Sequence, residues 1–187
     1  MLDQTQHKTM AELEAALPDI LAAPKDEGRI DGIISRPAKE ERNDMPSAML
    51  TLEGGTEGDH WAKRCWRTTD AGDPHPDVQI CIMMSRCIGA IAGDRANWPP
   101  AGDNLFIDMD LTPGNAPSGT RLAMGSVILE ITEEPHNGCQ KFIDRFGRDA
   151  CLFVNTGQGK ELRLRGIYGR VVQNGRVSVG DVVKKIG

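Results

Sequence analysis

Short runs of alternating apolar and polar residues, each cut off by Gly, Pro, Asp or Asn, recur along most of this chain and limit its fold more than any other feature. Ile30, Gly32 and Ile34 alternate with Asp31 and Ile33. Ala48, Leu50 and Leu52 alternate with Met49, Thr51 and Glu53, and Leu105, Ile107, Met109 and Leu111 with Phe106, Asp108 and Asp110. Residues 78–83, 121–124, 127–131, 167–172 and the valine-rich end add further extended runs. A period of two is the mark of strands. Asn174-Gly175 predicts a hairpin turn. The 21 glycines suit a chain with many turns.

Helical signals are fewer. Thr9 and Glu12 form a capping-box pattern, and Leu13, Leu17, Ile20 and Leu21 follow at helical spacing. This predicts one or two short helices over 9–23, with Pro18 kinking or breaking them. Residues 24–28 read as a linker. Ser85 is placed to cap a helix over 86–94 that ends near Gly93. Phe142 and Phe146 are four apart before Gly147, which predicts a helix over 139–147. A second short helix is expected over 150–154, after which Gly157 and Gly159 loosen the chain. Residues 54–77, rich in Gly, Asp, Pro, Trp and Arg, read as a long loop of the kind that carries function.

The expected fold is mainly β: a closed or nearly closed β-barrel of about seven or eight short strands with a few peripheral helices. Residues 1–27 form a helical appendage and linker, and residues 28–187 the barrel domain. A Rossmann fold is disfavoured, because strand and helix do not alternate and no GxGxxG follows a strand. P-loop, HExxH and GxSxG patterns are absent from the sequence.

The longest apolar run, residues 80–84, cannot span a bilayer. The N-terminus lacks the basic start and apolar stretch of a signal peptide. Five cysteines with no CxxC pair point to a reducing cytoplasm rather than a disulfide framework. The formal charge is −5, and it is uneven. Residues 136–187 carry ten Lys/Arg and four Asp/Glu, a balance of +6, while residues 1–135 stand at −11. The acidic whole argues against nucleic-acid binding. The basic last third could serve one small anionic ligand.

Cys139 is the most suggestive residue. Asn137 and Gly138 precede it as a turn, and a helix follows. A cysteine at a helix start gains positive dipole and free N–H groups, and Lys141, Arg145 and Arg148 lie close in sequence. A thiolate there can attack, carry sulfur as a persulfide or bind a soft metal; the alternative is a small buried apolar residue. Cys81, Cys87 and Cys151 read as core. A zinc set from His60, Cys65, His75, His136 and Cys139 matches no familiar spacing. The loop Gly58-Asp59-His60, in a glycine-rich segment after a strand, could approach a phosphate through its N–H groups or be a plain turn. Arg163, Arg165 and Arg170 read as a solvated face, with the first two on one side of an extended stretch.

Taken in order, six pieces resemble the molybdenum cofactor sulfurase C-terminal (MOSC) domain family. They are GTEGDH at 55–60, VQI at 78–80, GDNLFIDMDLT at 102–112, GTRLAMGSVILEIT at 119–132, GCQKFIDRFG at 138–147 and RGIYGRVVQNGRVSVGD at 165–181. The pieces run from residue 55 to residue 181, and the resemblance, to the small stand-alone bacterial members, is taken to cover about residues 28–186. The resemblance implies a β-barrel and a role around molybdenum cofactor, with Cys139 carrying sulfur or ligating molybdenum. Some members reduce N-hydroxylated compounds, so a separate electron-transfer protein or a sulfur donor is the implied partner. The cofactor's phosphate would call on Lys141, Arg145 and Arg170 and the loop of Gly58, Asp59 and His60, while Asn137 would orient the pterin or an oxo group. Three positions depart from the family pattern. Gly138 stands where Pro is usual, Thr56 where a longer aliphatic residue is common, and Asp103 where many members have Arg. Two other readings need no cofactor: a binding module for a small anion or a partner protein with an inert Cys139, and a redox centre in which Cys139 forms a sulfenic acid or pairs with Cys65 or Cys151.

Overall fold

A computed structural model describes residues 7–186 of the chain, and in it the alternating runs form strands wherever one face meets the core. Residues 1–6, which belong to the stretch read as lacking a signal peptide and to the 1–27 appendage, and residue 187 lie outside the described part. Helix α1 (Met10–Leu21) begins at the predicted capping box, with Thr9 accepting from the Glu12 N–H and the Glu12 carboxylate accepting from the Thr9 N–H. Pro18 does not break it. Leu13 and Ile20 are fully buried in the main core.

The strands follow as β1 (Glu27–Ser35), β2 (Asn43–Met45), β3 (Ser47–Thr51) and β4 (Gly55–Thr56); then helix α2 (Trp61–Arg64), strand β5 (Ile80–Met84), helix α3 (Ser85–Ala92) and strands β6 (Leu105–Asp108), β7 (Arg121–Met124) and β8 (Val127–Pro135). Three helices come next: α4 (Gln140–Phe146), α5 (Arg148–Asn155) and α6 (Gly157–Glu161). Strands β9 (Ile167–Gln173), β10 (Gly175–Ser178) and β11 (Val182–Ile186) finish the chain.

Seven strands close a barrel in the order β1-β11-β7-β8-β9-β5-β6, with β6 returning to β1. The closing pair sets Glu27 opposite Lys184 and Arg29 opposite Val182. The parallel pair β5–β6 is joined by α3, the kind of crossover a parallel pair requires. Strand β2 extends the sheet beside β1, and β10, β3 and β4 form a second, three-stranded sheet. Helix α1 packs on α3 and α5, so its apolar face covers the barrel's helical side.

Several local expectations are corrected. Asn174-Gly175 does not join two paired strands: β9 already has β8 and β5 on its two edges, so β10 crosses to pair with β3. Asn174 instead accepts a hydrogen bond from the Leu52 N–H at 2.8 Å. Ser85 is the first helical residue rather than the cap, because strand passes into helix at Met84 without a turn. Gly157 and Gly159 lie inside α6. A Cβ on Gly159 would stand 1.7 Å from the Phe153 carbonyl oxygen, so close backbone approach, not looseness, requires glycine there. Residues 54–77 hold β4, α2 and the start of a short 3-10 turn at Pro76–Val78 rather than one continuous loop. Arg163 adopts a left-handed φ of 56° in a turn, so Arg163 and Arg165 do not alternate along a strand.

Candidate functional site

Cys81 on β5 and Tyr168 on β9 are cross-strand partners. With Val78 they form a small apolar patch apart from the main core, and Cys65 packs against it. Charged groups converge on the same face. Arg165 lies over the Phe142 ring of α4, 4.9 Å from its centre. Its Nη1 donates to both Asp103 carboxylate oxygens, at 3.0 and 2.9 Å, and its Nη2 donates to the Ala101 carbonyl at 3.1 Å. Both side chains are buried, so the expected solvated face is corrected for Arg165. Its carboxylate partner lies 62 residues away in sequence. Burial pushes the Asp103 carboxyl up, against the pull of Arg165.

His136 completes this cluster. Its ring stacks on Tyr168 with centres 4.4 Å apart, and Nδ1 lies 3.6 Å from an Asp103 oxygen. Neither that Nδ1 nor Arg165 Nε finds a hydrogen-bond partner among the described residues. Burial, reinforced by the charges of Arg165 and Arg36, holds the His136 pKa well below the ordinary 6.5. The fold therefore keeps the imidazole neutral while the unfolded chain protonates it near pH 6.5. Its contribution to stability is complete above that pH and is lost as the pH falls toward the folded value. Between about pH 6.5 and 5 the parent should lose up to about 1.4 kcal/mol per pH unit relative to His136→Gln. Urea titrations over that range check this; equal acid slopes would show that the imidazole protonates freely in the fold.

Arg36, at the end of β1, closes the other side. Its Nε and Nη2 donate to Asp59 at 2.7 and 3.0 Å, and its Nη1 to the Gly102 carbonyl at 2.9 Å and Cys81 Sγ at 3.2 Å. Asp59 also accepts from the Trp61 N–H at 2.9 Å and from Asn104 Nδ2 at 2.9 Å. Although burial opposes ionisation, the Arg36 guanidinium keeps the Asp59 carboxyl below the usual range. His60 Nδ1 faces the Arg36 carbonyl oxygen at 2.6 Å. Gly58, Asp59 and His60 line an open cleft of about 470 Å³ with Thr56 and Lys63. The buried Thr56 hydroxyl has no partner among the described residues.

The rim in front of α4 is cationic. Arg145 donates to the Pro100 carbonyl at 2.8 Å and to the Glu40 carboxylate, and Lys141 Nζ lies 3.5 Å from the other Glu40 oxygen. Arg145 holds the Glu40 carboxyl below its ordinary range. Burial lowers the Arg42 pKa, as do the neighbouring charges of Arg145 and Arg36. Arg36, Arg42, Lys141, Arg145 and Arg165 thus act on Glu40, Asp59 and Asp103, five cations to three carboxylates, which leaves this edge positive.

Cys139 occupies the cap position of α4 and is exposed, the one cysteine of the five that is. Gly138, where the resemblance leads one to expect Pro, donates its N–H to Asn155 Oδ1 at 2.8 Å, a bond proline could not make. Asn137 borders a cavity of about 170 Å³ shared with His136, Lys160 and Arg163. Arg170 is engaged elsewhere, by Asp77 and Glu130 on the β8–β9 ladder. Among the described residues no group of three His, Cys, Asp or Glu side chains is arranged to hold a metal ion. No helix among them is long and apolar enough to cross a membrane. The sequence reading missed Arg36, Arg42 and Asn104, whose partners lie far along the chain and leave no local pattern.

The sequence model of the MOSC domain matches residues 75–184, more than half of the chain. The chain belongs to the MOSC domain family. Three crystal structures share the fold of this MOSC domain. YuaD from Bacillus subtilis aligns at 19% identity and a TM-score of 0.57, over 85% of this chain and 95% of that one. YiiM from Geobacillus stearothermophilus aligns at 16% and 0.58, over 86% and 75%. YiiM from Escherichia coli aligns at 21% and 0.53, over 85% and 70%. No curated protein sequence matches the chain. MOSC domains are associated with molybdenum cofactor binding and sulfur handling.

Proposed function

We propose that this MOSC domain handles sulfur at molybdenum cofactor, with Cys139 carrying the sulfur as a persulfide or, where the cofactor is resident, ligating molybdenum. The observation that carries the reading is an exposed thiol, the only one among the described residues, at the cationic edge of a buried polar cluster. The donor set fits the cofactor. A phosphate wants guanidinium and ammonium groups, each charge-assisted bond contributing about 1.5–3 kcal/mol. Arg42, Lys141 and Arg145 would hold it, taking the place of the exposed Glu40 carboxylate, and Arg36 adds to the local charge. The unpartnered Thr56 hydroxyl is free for the pterin, whereas the Asp59 and His60 N–H groups already donate to the Thr56 and Arg36 carbonyls; Asn137, which lines a separate cavity, is given to the pterin by the resemblance alone. The bound cofactor supplies a metal that changes oxidation state and exchanges oxo or sulfido ligands. A reductase of N-hydroxylated compounds built this way draws its electrons from a separate protein.

The test is metal and sulfur analysis of protein made with molybdate in a host that synthesises the cofactor, beside Cys139→Ala. The parent should carry molybdenum near stoichiometry or a persulfide on Cys139, and the variant neither. An exposed Cys→Ala change should move stability by no more than about 0.5 kcal/mol, so the loss would not be unfolding. Equal loading in both proteins would remove Cys139 from the reaction. No loading in either would favour an anion- or partner-binding module with an inert thiol.

A further inference from the structure

The buried face of α5 holds a second thiol beside the backbone that leads into Cys139. Cys151 and Asn155 are four residues apart and therefore share one side of the helix. The Asn155 amide does three things there. Its Oδ1 accepts from the Gly138 N–H at 2.8 Å. Its Nδ2 donates to the Gly138 carbonyl at 3.2 Å and to Cys151 Sγ at 3.1 Å. The backbone before Cys139 and the sulfur of Cys151 are thus fixed to the same side chain. A Cβ built on Gly138 would lie 2.7 Å from Asn155 Nδ2 and 3.4 Å from Cys151 Sγ. Glycine leaves room for the two segments to meet this closely without moving the Asn155 amide.

Cys139 is the next residue along, one peptide unit or about 3.8 Å further. A disulfide needs Cα atoms about 4.4–6.8 Å apart. Cys139 sits at a cap position with extended backbone, φ −115° and ψ −177°, outside the helical hydrogen-bond ladder. Its side chain can therefore turn toward α5 without unwinding α4. The remaining cysteines are placed otherwise. Cys87 donates to the Leu164 carbonyl at 3.3 Å, and burial raises its pKa to about 12. Cys81 lies against Arg36, and Cys65 packs on the Tyr168 patch.

We propose that Cys151 is the resolving thiol of Cys139, so that this domain releases a Cys139-bound sulfane sulfur as hydrosulfide. This rests on the reading of Cys139 as a sulfur carrier. The Cys151 thiolate attacks Cys139 Sγ of the persulfide. A Cys139–Cys151 disulfide bond forms, the Sγ–S bond breaks, and HS⁻ leaves. The two protein sulfurs are oxidised together by two electrons, and the sulfane sulfur is reduced by two. A low-molecular-weight thiol then reduces the disulfide, two thiols becoming one disulfide and both cysteines regaining their protons. Cys151 is buried, 8% exposed, so it is screened from sulfane sulfur in solution and meets the atom that Cys139 brings.

The experiment exposes the reduced parent, Cys151→Ser and Cys139→Ser to inorganic polysulfide. It follows intact mass, non-reducing peptide maps and released sulfide. The parent should release about one hydrosulfide per chain and yield the linked Cys139–Cys151 peptide. Cys151→Ser should accumulate a gain of about 32 Da at Cys139, one sulfur atom, and release sulfide at least about tenfold more slowly. Thermal melts of the three proteins exclude unfolding as the cause. A Cys139 persulfide equally long-lived in the parent and in Cys151→Ser would overturn the resolving role alone. Absence of persulfide and of the disulfide in every protein would overturn the sulfur-carrier reading and this proposal with it. Diamide, which needs no sulfur loading, should close the same bond in the parent, and failure to do so would refute the geometry.

Discussion

Arg165→Met should destabilise the domain by about 3–5 kcal/mol, the usual result of removing one partner from a buried ion pair. The reason lies in what remains. Asp103 is fully buried, and its carboxylate would lose both hydrogen bonds from Nη1, keeping a neutral His136 beside it and only the charges of Arg36 and Arg42 in its favour. The Ala101 carbonyl would lose its donor, and Phe142 the cation over its ring. Burial already pushes Asp103 toward protonation, so the variant should take up a proton there as the pH falls. The deficit against the parent should accordingly shrink at acid pH. Urea titrations at pH 7.5 and 5 measure both effects. The double variant Asp103→Leu/Arg165→Met removes both charges and should recover most of the loss, since an apolar pair of similar volume is often neutral. A loss under about 1 kcal/mol for Arg165→Met alone would mean that the pair is solvated.

Gly166→Ala should cost at least about 3 kcal/mol, because two penalties act at one residue. The backbone there has φ +108°, a conformation L side chains rarely adopt. A Cβ would also lie 2.3 Å from the Ile82 carbonyl oxygen and 3.3 Å from His136 Nδ1. Ile82 pairs with Ile167, so the added methyl would push on the β5–β9 ladder where the chain enters the barrel. It would also press on the His136 ring and shift the turn that carries Arg165. Gly180→Ala is the control, with φ +93° and nothing within 4 Å; it should lose only about 1–2 kcal/mol, the backbone part. Equal losses in the two variants would show that close approach contributes nothing at Gly166.

Much of the architecture was legible along the chain, and for a local reason. Period-two runs became β1, β3, β6, β7 and β8 because alternation leaves one face apolar and the nearest core buries it, and the continuous apolar run of residues 80–84 became β5, buried at every position. The capping box at Thr9 and the Gly147 terminus of α4 worked because both sides of each signal lie within one turn. The misreadings arose where distant chain decides the outcome. Asn174-Gly175 has a hairpin's chemistry, but β9 had no free edge to offer. Arg165 has the look of a surface charge, and is buried because Asp103 and Phe142 close over it.

The candidate site divides along the same line. The amino-acid order alone determined that Cys139 stands at a helix start after an Asn-Gly turn, that basic residues follow it, and that the chain makes a barrel of short strands. Tertiary structure decided which charges are free and which are matched. Arg36 meets Asp59 across 23 residues and Arg145 meets Glu40 across 105. It also put Cys151 beside Gly138 through Asn155, 17 residues away. Local pattern records the backbone's periodicity and its turns, which act over a few residues. Burial, pairing of charges and the seating of Cys151 against Gly138 depend on which segments pack together, and that is settled only when the barrel closes and the helices seat on it.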